Sequence, residues 1–171
     1  MGKLEITKKF KGDFGQVVFE NFCQQKDYAH ISLEEIYKTF TPKNGLVFNH
    51  GFYRIPVIVP AEITPEIREF CKPSNNEEFE PSFVFDYLTV SLHCSFKLNE
   101  EKKKYEQMPY LTQKAFSWVE IKTGKSELTP NQQRKSLETT IGLKVFRIPT
   151  AVPEDIEVNF EKYLFKGKKE Q

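Results

Sequence analysis

Phe116-Ser117-Trp118-Val119-Glu120-Ile121-Lys122-Thr123-Gly124-Lys125 is the stretch on which both the fold and the chemistry of this chain turn. Its aromatic and β-branched residues predict a strand over Ala115–Lys122. Side chains at i and i+2 of a strand share a face. Glu120 and Lys122 therefore stand side by side, while Val119 and Ile121 point the other way into a core. A charged pair in an otherwise apolar strand is costly unless the charges have a partner or a task.

Downstream, Gly124 to Leu128 reads as a turn. Thr129 then caps a helix with Pro130 at its first position, expected to end near Gly142. Leu143 to Ile148 follows as a strand. Upstream, Ser82 to Leu92 reads as a central strand in which Asp86 interrupts Phe83, Val84, Phe85, Tyr87 and Leu88. If the two strands are neighbours, Asp86 and Glu120 converge. Close carboxylates repel and take up a proton unless a divalent cation lies between them. Oxygen ligands of this kind suit Mg²⁺ or Mn²⁺. A lysine beside such an ion can orient water or stabilise charge growing on a phosphate, so the trio suits phosphodiester hydrolysis.

Further out, Phe14, Val17, Val18 and Phe22 predict a helix over Asp13–Lys26 with Asp13 as its cap. Ser32 with Glu35 predicts a short capped helix. Gly45 to Val59 reads as a hairpin about Asn49-His50-Gly51, and Thr64-Pro65 starts another helix. Lys72 to Glu80 reads as a polar loop, Asn99 to Gln107 as a charged excursion in loop or helix, and Ile156 to Phe160 as an edge strand. The whole predicts an α/β protein whose central mixed sheet is flanked by helices. One domain is expected over 1–171, with a core at about 12–150, an insertion at 94–114 and a flexible tail at 165–171.

Composition bounds the partners. A net charge of +1 is low for a nucleic-acid binder, so any basic patch must be local. Cys23, Cys71 and Cys94 form no CxxC pair, which argues against zinc knuckles and disulfide frameworks. Cys23 reads as a small buried hydrophobe. Met1 to Phe10 lacks the apolar run of a secretory signal, and no stretch approaches the roughly 18 apolar residues of a membrane span. A cytoplasmic protein without membrane contact is the expectation.

Asp86, then Glu120-x-Lys122, then Leu128-Thr129-Pro130-Asn131-Gln132 resembles the PD-(D/E)xK nuclease superfamily. The likeness is greatest to the branch of Holliday-junction resolvases and restriction-endonuclease-like enzymes, where the phrase V-E-x-K-x-G-K…L-S/T-x-x-Q recurs. Val119 to Gln132 follows it closely. The resemblance implies an αβββαβ core and a Mg²⁺- or Mn²⁺-dependent endonuclease acting on nucleic acid, DNA before RNA. It implies Asp86 and Glu120 as metal ligands, with the Ile121 carbonyl and Glu20 as further ones. Lys122 assists the attacking water and Gln132 supports the catalytic site from its helix. Lys125, Arg134 and Lys135 are candidate phosphate contacts, and a homodimer or larger nuclease complex is the assembly implied.

The chain departs from this pattern in several places. Phe85 stands where the family has proline before the aspartate, and the stretch from Asp86 to Glu120 is long. Gly15-Gln16 replaces a Gly-Glu of the first helix, for which Glu20 is the substitute one turn on. Thr129-x-x-Gln132 is also a capping box, a structural use of the same glutamine. The competing reading is a nuclease-fold module with weak or no activity that binds nucleic acid or assembles with a partner.

Overall fold

A computed structural model describes residues 2–41, 43, 45–74, 82–107, 111–150 and 152–161. The chain begins with β1 (Gly2–Glu5), α1 (Lys8–Gln25), β2 (Tyr28–Ser32), α2 (Leu33–Thr39), β3 (Leu46–His50) and β4 (Tyr53–Val57). It continues through α3 (Thr64–Phe70), β5 (Tyr87–Ser91), α4 (Leu92–Ser95), β6 (Phe96–Asn99) and β7 (Lys104–Gln107). It closes with β8 (Phe116–Thr123), α5 (Pro130–Glu138), β9 (Leu143–Ile148) and β10 (Asp155–Val158). The tail at 165–171 and residues 75–81 of the polar loop lie outside the described residues.

Six strands form one mixed sheet in the order β4-β3-β2-β5-β8-β9, so the protein is α/β as expected. Neighbours are antiparallel except β8 and β9, which run parallel. A parallel pair needs a crossover, and α5 supplies it. One sheet face buries Ile31, Phe48, Leu88, Val90, Phe116 and Trp118 together with Ile36 of α2 and Ile67 and Phe70 of α3. The other buries Tyr87 and Val119 beneath Phe19 and Cys23 of α1. Cys23 is the buried hydrophobe that was expected, its thiol pushed up to about 12 by burial and by Glu20. Among the described residues, no helix is long and apolar enough to cross a membrane.

Several boundaries differ from the sequence reading for local reasons. Helix α1 starts well before Asp13, because the Thr7 hydroxyl accepts from the Phe10 N–H at 3.1 Å. Its buried stripe is Gly15, Phe19 and Cys23, whereas Phe14, Val17 and Phe22 remain 39%, 64% and 39% exposed. Gly15 explains the rotation. A Cβ there would stand 3.0 Å from Ile121 Cγ2, so the helix brings its smallest residue down onto β8.

Strand β2 was not anticipated, since His30 breaks its apolar run, yet it lies between β3 and β5. Ser32 caps α2 as expected, accepting from Glu35 N–H at 3.2 Å. Thr64 is no cap: a 3₁₀ turn over Ala61–Ile63 leads straight into α3, and the Thr64 hydroxyl donates to the Pro60 carbonyl. The Asn99–Gln107 excursion is largely the β6–β7 hairpin. The last strand pairs with β1 outside the main sheet, with bounds of Asp155–Val158.

Helix α5 stops at Glu138 rather than near Gly142, and Glu66 is the reason. Its carboxylate accepts from Trp118 Nε1 at 2.9 Å, from the Thr139 hydroxyl at 2.8 Å and from the Thr140 N–H at 2.6 Å. These bonds hold 139–140 out of the helix and join α3 to β8. Gly142, at φ +88°, then serves the turn into β9. Glu66→Gln should destabilise the fold by about 1–3 kcal/mol, because an amide cannot accept from all these donors and leaves part of the cluster unsatisfied. Denaturant unfolding checks this, and a change under 0.5 kcal/mol, about the size of a neutral surface substitution, counts against it.

Candidate active site

The register of β5 against β8 sets the site. Tyr87 pairs with Val119 at the end of the ladder, and Asp86, in the bend just before β5, donates its N–H to the Val119 carbonyl at 3.0 Å. Asp86 therefore lies opposite Glu120 at the mouth of the two strands. Asp86 Oδ2 accepts from the Ile121 N–H at 2.7 Å, which fixes its carboxylate against β8. The N–H and C=O of one strand residue point to the same side, so the Ile121 carbonyl also faces the Asp86 side.

Phe85, which precedes Asp86, anchors this turn in the core. It is buried against Phe70 and Trp118, with ring centroids 6.0 and 6.3 Å away, and this wedge sets where the chain turns into Asp86. Gln132 supports the same turn from α5. Its Nε2 donates to the Val84 carbonyl at 3.0 Å, and its Oε1 accepts from the Thr129 N–H at 3.0 Å. The Thr129 hydroxyl accepts from the Gln132 N–H in return, completing the capping box. Both ends of the amide are engaged and the residue is buried, so Gln132 ties the start of α5 to the chain just before Asp86. Gln133, the next residue of α5, is exposed and donates its Nε2 to the Leu128 carbonyl at 3.1 Å.

Glu120 is buried to 7% exposure, and Lys122 Nζ stands 3.4 Å from its Oε1. Burial pushes the Glu120 carboxyl up to about 7 and the Asp86 charge adds to this, while Gln132 and Lys122 pull the other way. Burial likewise raises Asp86, opposed by the Ile121 N–H, the Glu120 carboxyl and Lys122. The two carboxyls thus sit close enough to share a proton, next to one ammonium. Beside them opens a cavity of about 240 Å³ lined by Lys11, Gln16, Asp86, Lys122, Thr123 and Ser126.

Gln16, rather than Glu20, is the α1 side chain that reaches this cavity. Glu20 is claimed elsewhere. It accepts from the Tyr87 hydroxyl at 3.0 Å and lines a separate cavity with His30 and Asn49, which corrects its assignment as a further ligand. Among the described residues, no three His, Cys, Asp or Glu side chains surround one point. The donors that fit a hard cation here are the Asp86 and Glu120 carboxylates with the Ile121 carbonyl, a two-acid set. A proton taken up by this pair is what a divalent ion would displace.

The candidate phosphate contacts divide. Lys125 is exposed in the turn that follows β8. Arg134 is exposed but held by Asn131 at 2.6 Å. Lys135 lies 5.4 Å over the Phe70 ring and pairs with Glu138 at 3.2 Å, so α5 turns it toward the core and not toward a phosphate. Lys11 and Ser126 at the cavity were missed. Nothing local distinguishes them, since only the packing of α1 on the end of β8 brings them there.

Comparison with family models, with curated proteins and with solved structures returned no match.

Proposed function

We propose that this protein is a metal-dependent nuclease hydrolysing phosphodiester bonds, most readily in DNA. The observation that carries the reading is the meeting of Asp86 and Glu120 across β5 and β8, with Lys122 between Glu120 and the open cavity. The chain path α1, β2, β5, β8, α5, β9 supports a restriction-endonuclease-like αβββαβ core, into which α2, β3, β4 and α3 are inserted after β2, and α4, β6 and β7 after β5.

Asp86 and Glu120, with the Ile121 carbonyl, would hold Mg²⁺ or Mn²⁺. Such an ion, when bound, polarises a phosphoryl oxygen and lowers the pKa of its water. Asp86 is held in place by its bond from the Ile121 N–H, so it is preorganised for this task. Lys122 lines the cavity beside it and places a positive charge where a phosphate would gain negative charge. Gln132 keeps the Val84–Asp86 turn in register.

One observation favours a second reading, a nuclease-fold module that binds nucleic acid or a partner without cutting. Gln16 occupies the cavity wall where a third carboxylate would complete the ligand set. A panel of end-labelled DNA and RNA structures, incubated with Mg²⁺ or Mn²⁺ and with chelator, decides between them. Cleavage that needs the ion and stops with chelator supports the first. Binding without cleavage in either metal assigns the second.

A further inference from the structure

The end of β5 opposite Asp86 carries a second feature that the acid site does not use. Five strand residues separate the two ends, roughly 17 Å at 3.3 Å per residue. There the β3–β4 hairpin and the β6–β7 hairpin wall a groove of about 810 Å³. Its lining includes Arg54, Lys103, Lys104, Tyr53 and Phe96. With the acid in it, Asp27, set against Arg54, Lys103 and Lys104, the lining still carries a net charge of +2 (three positive less one negative, His neutral). In a chain with a net charge of +1, this is a local concentration of positive charge.

Two details separate it from an ordinary solvated surface. Lys103 sits at φ +49°, a left-handed conformation costing a non-glycine residue about 1–2 kcal/mol, yet the turn keeps a lysine there at the groove wall. Tyr53 is 74% exposed and also lines the groove, although a ring of that size gains nothing from water. Arg54 contacts Glu35 at 3.4 Å, but both are well exposed and such pairs contribute only about 0–1 kcal/mol, which leaves the guanidinium free to change partner.

We infer that this groove binds a single-stranded nucleic acid, its backbone on Arg54, Lys103 and Lys104 and a base stacked on Tyr53. Cations tracking phosphates with an aromatic platform between them is the physical recipe for single-strand binding. A duplex is disfavoured because its base faces are already stacked and cannot meet the ring. That the bound strand is also what the acid site cuts rests on the nuclease reading above.

The test is fluorescence anisotropy of labelled oligothymidylate and oligouridylate in chelator, against a duplex of equal length and with polyglutamate as competitor. Either single strand should bind more tightly than the duplex. Arg54→Ala/Lys103→Ala/Lys104→Ala should weaken binding by about tenfold or more between about 50 and 200 mM salt and make the log K against log salt slope shallower by about 2. Tyr53→Ala should weaken binding about 5- to 100-fold with the slope unchanged. All four residues are exposed, so the fold should survive these changes.

Unaltered affinity in the triple variant overturns the inference. So does displacement by polyglutamate at matched charge with Tyr53→Ala silent, which assigns the groove to an acidic protein. Because no cleavage occurs in chelator, a failed nuclease reading leaves this result standing. A failed groove leaves Mg²⁺-dependent hydrolysis of bis(p-nitrophenyl) phosphate unchanged.

Discussion

Lys122→Ala should lower the single-turnover rate of metal-dependent phosphodiester cleavage by about 10²–10⁴, the range for a positioned proton-transfer or charge-stabilising group. Lys122 is 13% exposed in its side chain and lies 3.4 Å from Glu120, with the cavity beside it. Its charge therefore acts in a setting of reduced dielectric, where it is worth more than in water. Lys122→Arg keeps the charge but spreads it over a planar fork, so it should recover only part of the rate. The loss must appear in the chemical step per folded molecule, because removing the ammonium beside two buried carboxyls also lowers the thermal midpoint. A rate within threefold of the parent would remove Lys122 from the chemistry and with it most of the argument for a nuclease.

The second large effect is linkage between pH, metal and stability at Glu120. Its folded carboxyl is raised to about 7 from an ordinary 4.5, chiefly by burial and then by Asp86. The metal-free fold therefore holds a proton that the unfolded chain has released, and its stability falls as pH rises from about 4.5 through 7. A divalent ion takes the place of that proton, so its stabilising effect should grow across the same window. At a concentration near 100 times the dissociation constant, the ion should add about 2.7 kcal/mol. For a chain of this size that is roughly 5–10 °C in Tm at pH 8, and far less at pH 5.

Glu120→Gln carries no charge at any pH. It should flatten the metal-free pH profile, raise metal-free stability above pH 7 and abolish most of the metal response. Calorimetry over a grid of pH and Mn²⁺ measures all three. A parent protein whose Tm is indifferent to Mn²⁺ at pH 8 would mean that the Asp86–Glu120 pair holds no ion.

How far these residues were legible in the chain follows from the range of the signals. Glu120 and Lys122 sharing a face follows from the two-residue period of a strand, which is local. Thr129, Pro130 and Gln132 follow from capping chemistry, which spans three residues, and the capping box formed in full. Asp86 stood out because a carboxylate in a run of aromatic and aliphatic residues needs a reason. Glu20 was misassigned because helical spacing gives a side chain's direction along the helix but not the rotation of the helix on the sheet. Gly15 settles that rotation by contact with Ile121, a residue over one hundred positions later.

Local chemistry in the chain thus determined an α/β protein, a carboxylate–lysine pair on one strand and a capped helix behind it. Folding decided that Asp86 lies across from Glu120, that Gln16 and not Glu20 faces their cavity, and that Glu66 closes the far end of α5. It also gathered Arg54, Lys103 and Lys104 into one groove from hairpins about fifty residues apart. The difference has one physical origin. Periodicity and caps are set by neighbours within a turn or two, whereas sheet register and helix rotation are set by which distant side chains fill the same volume.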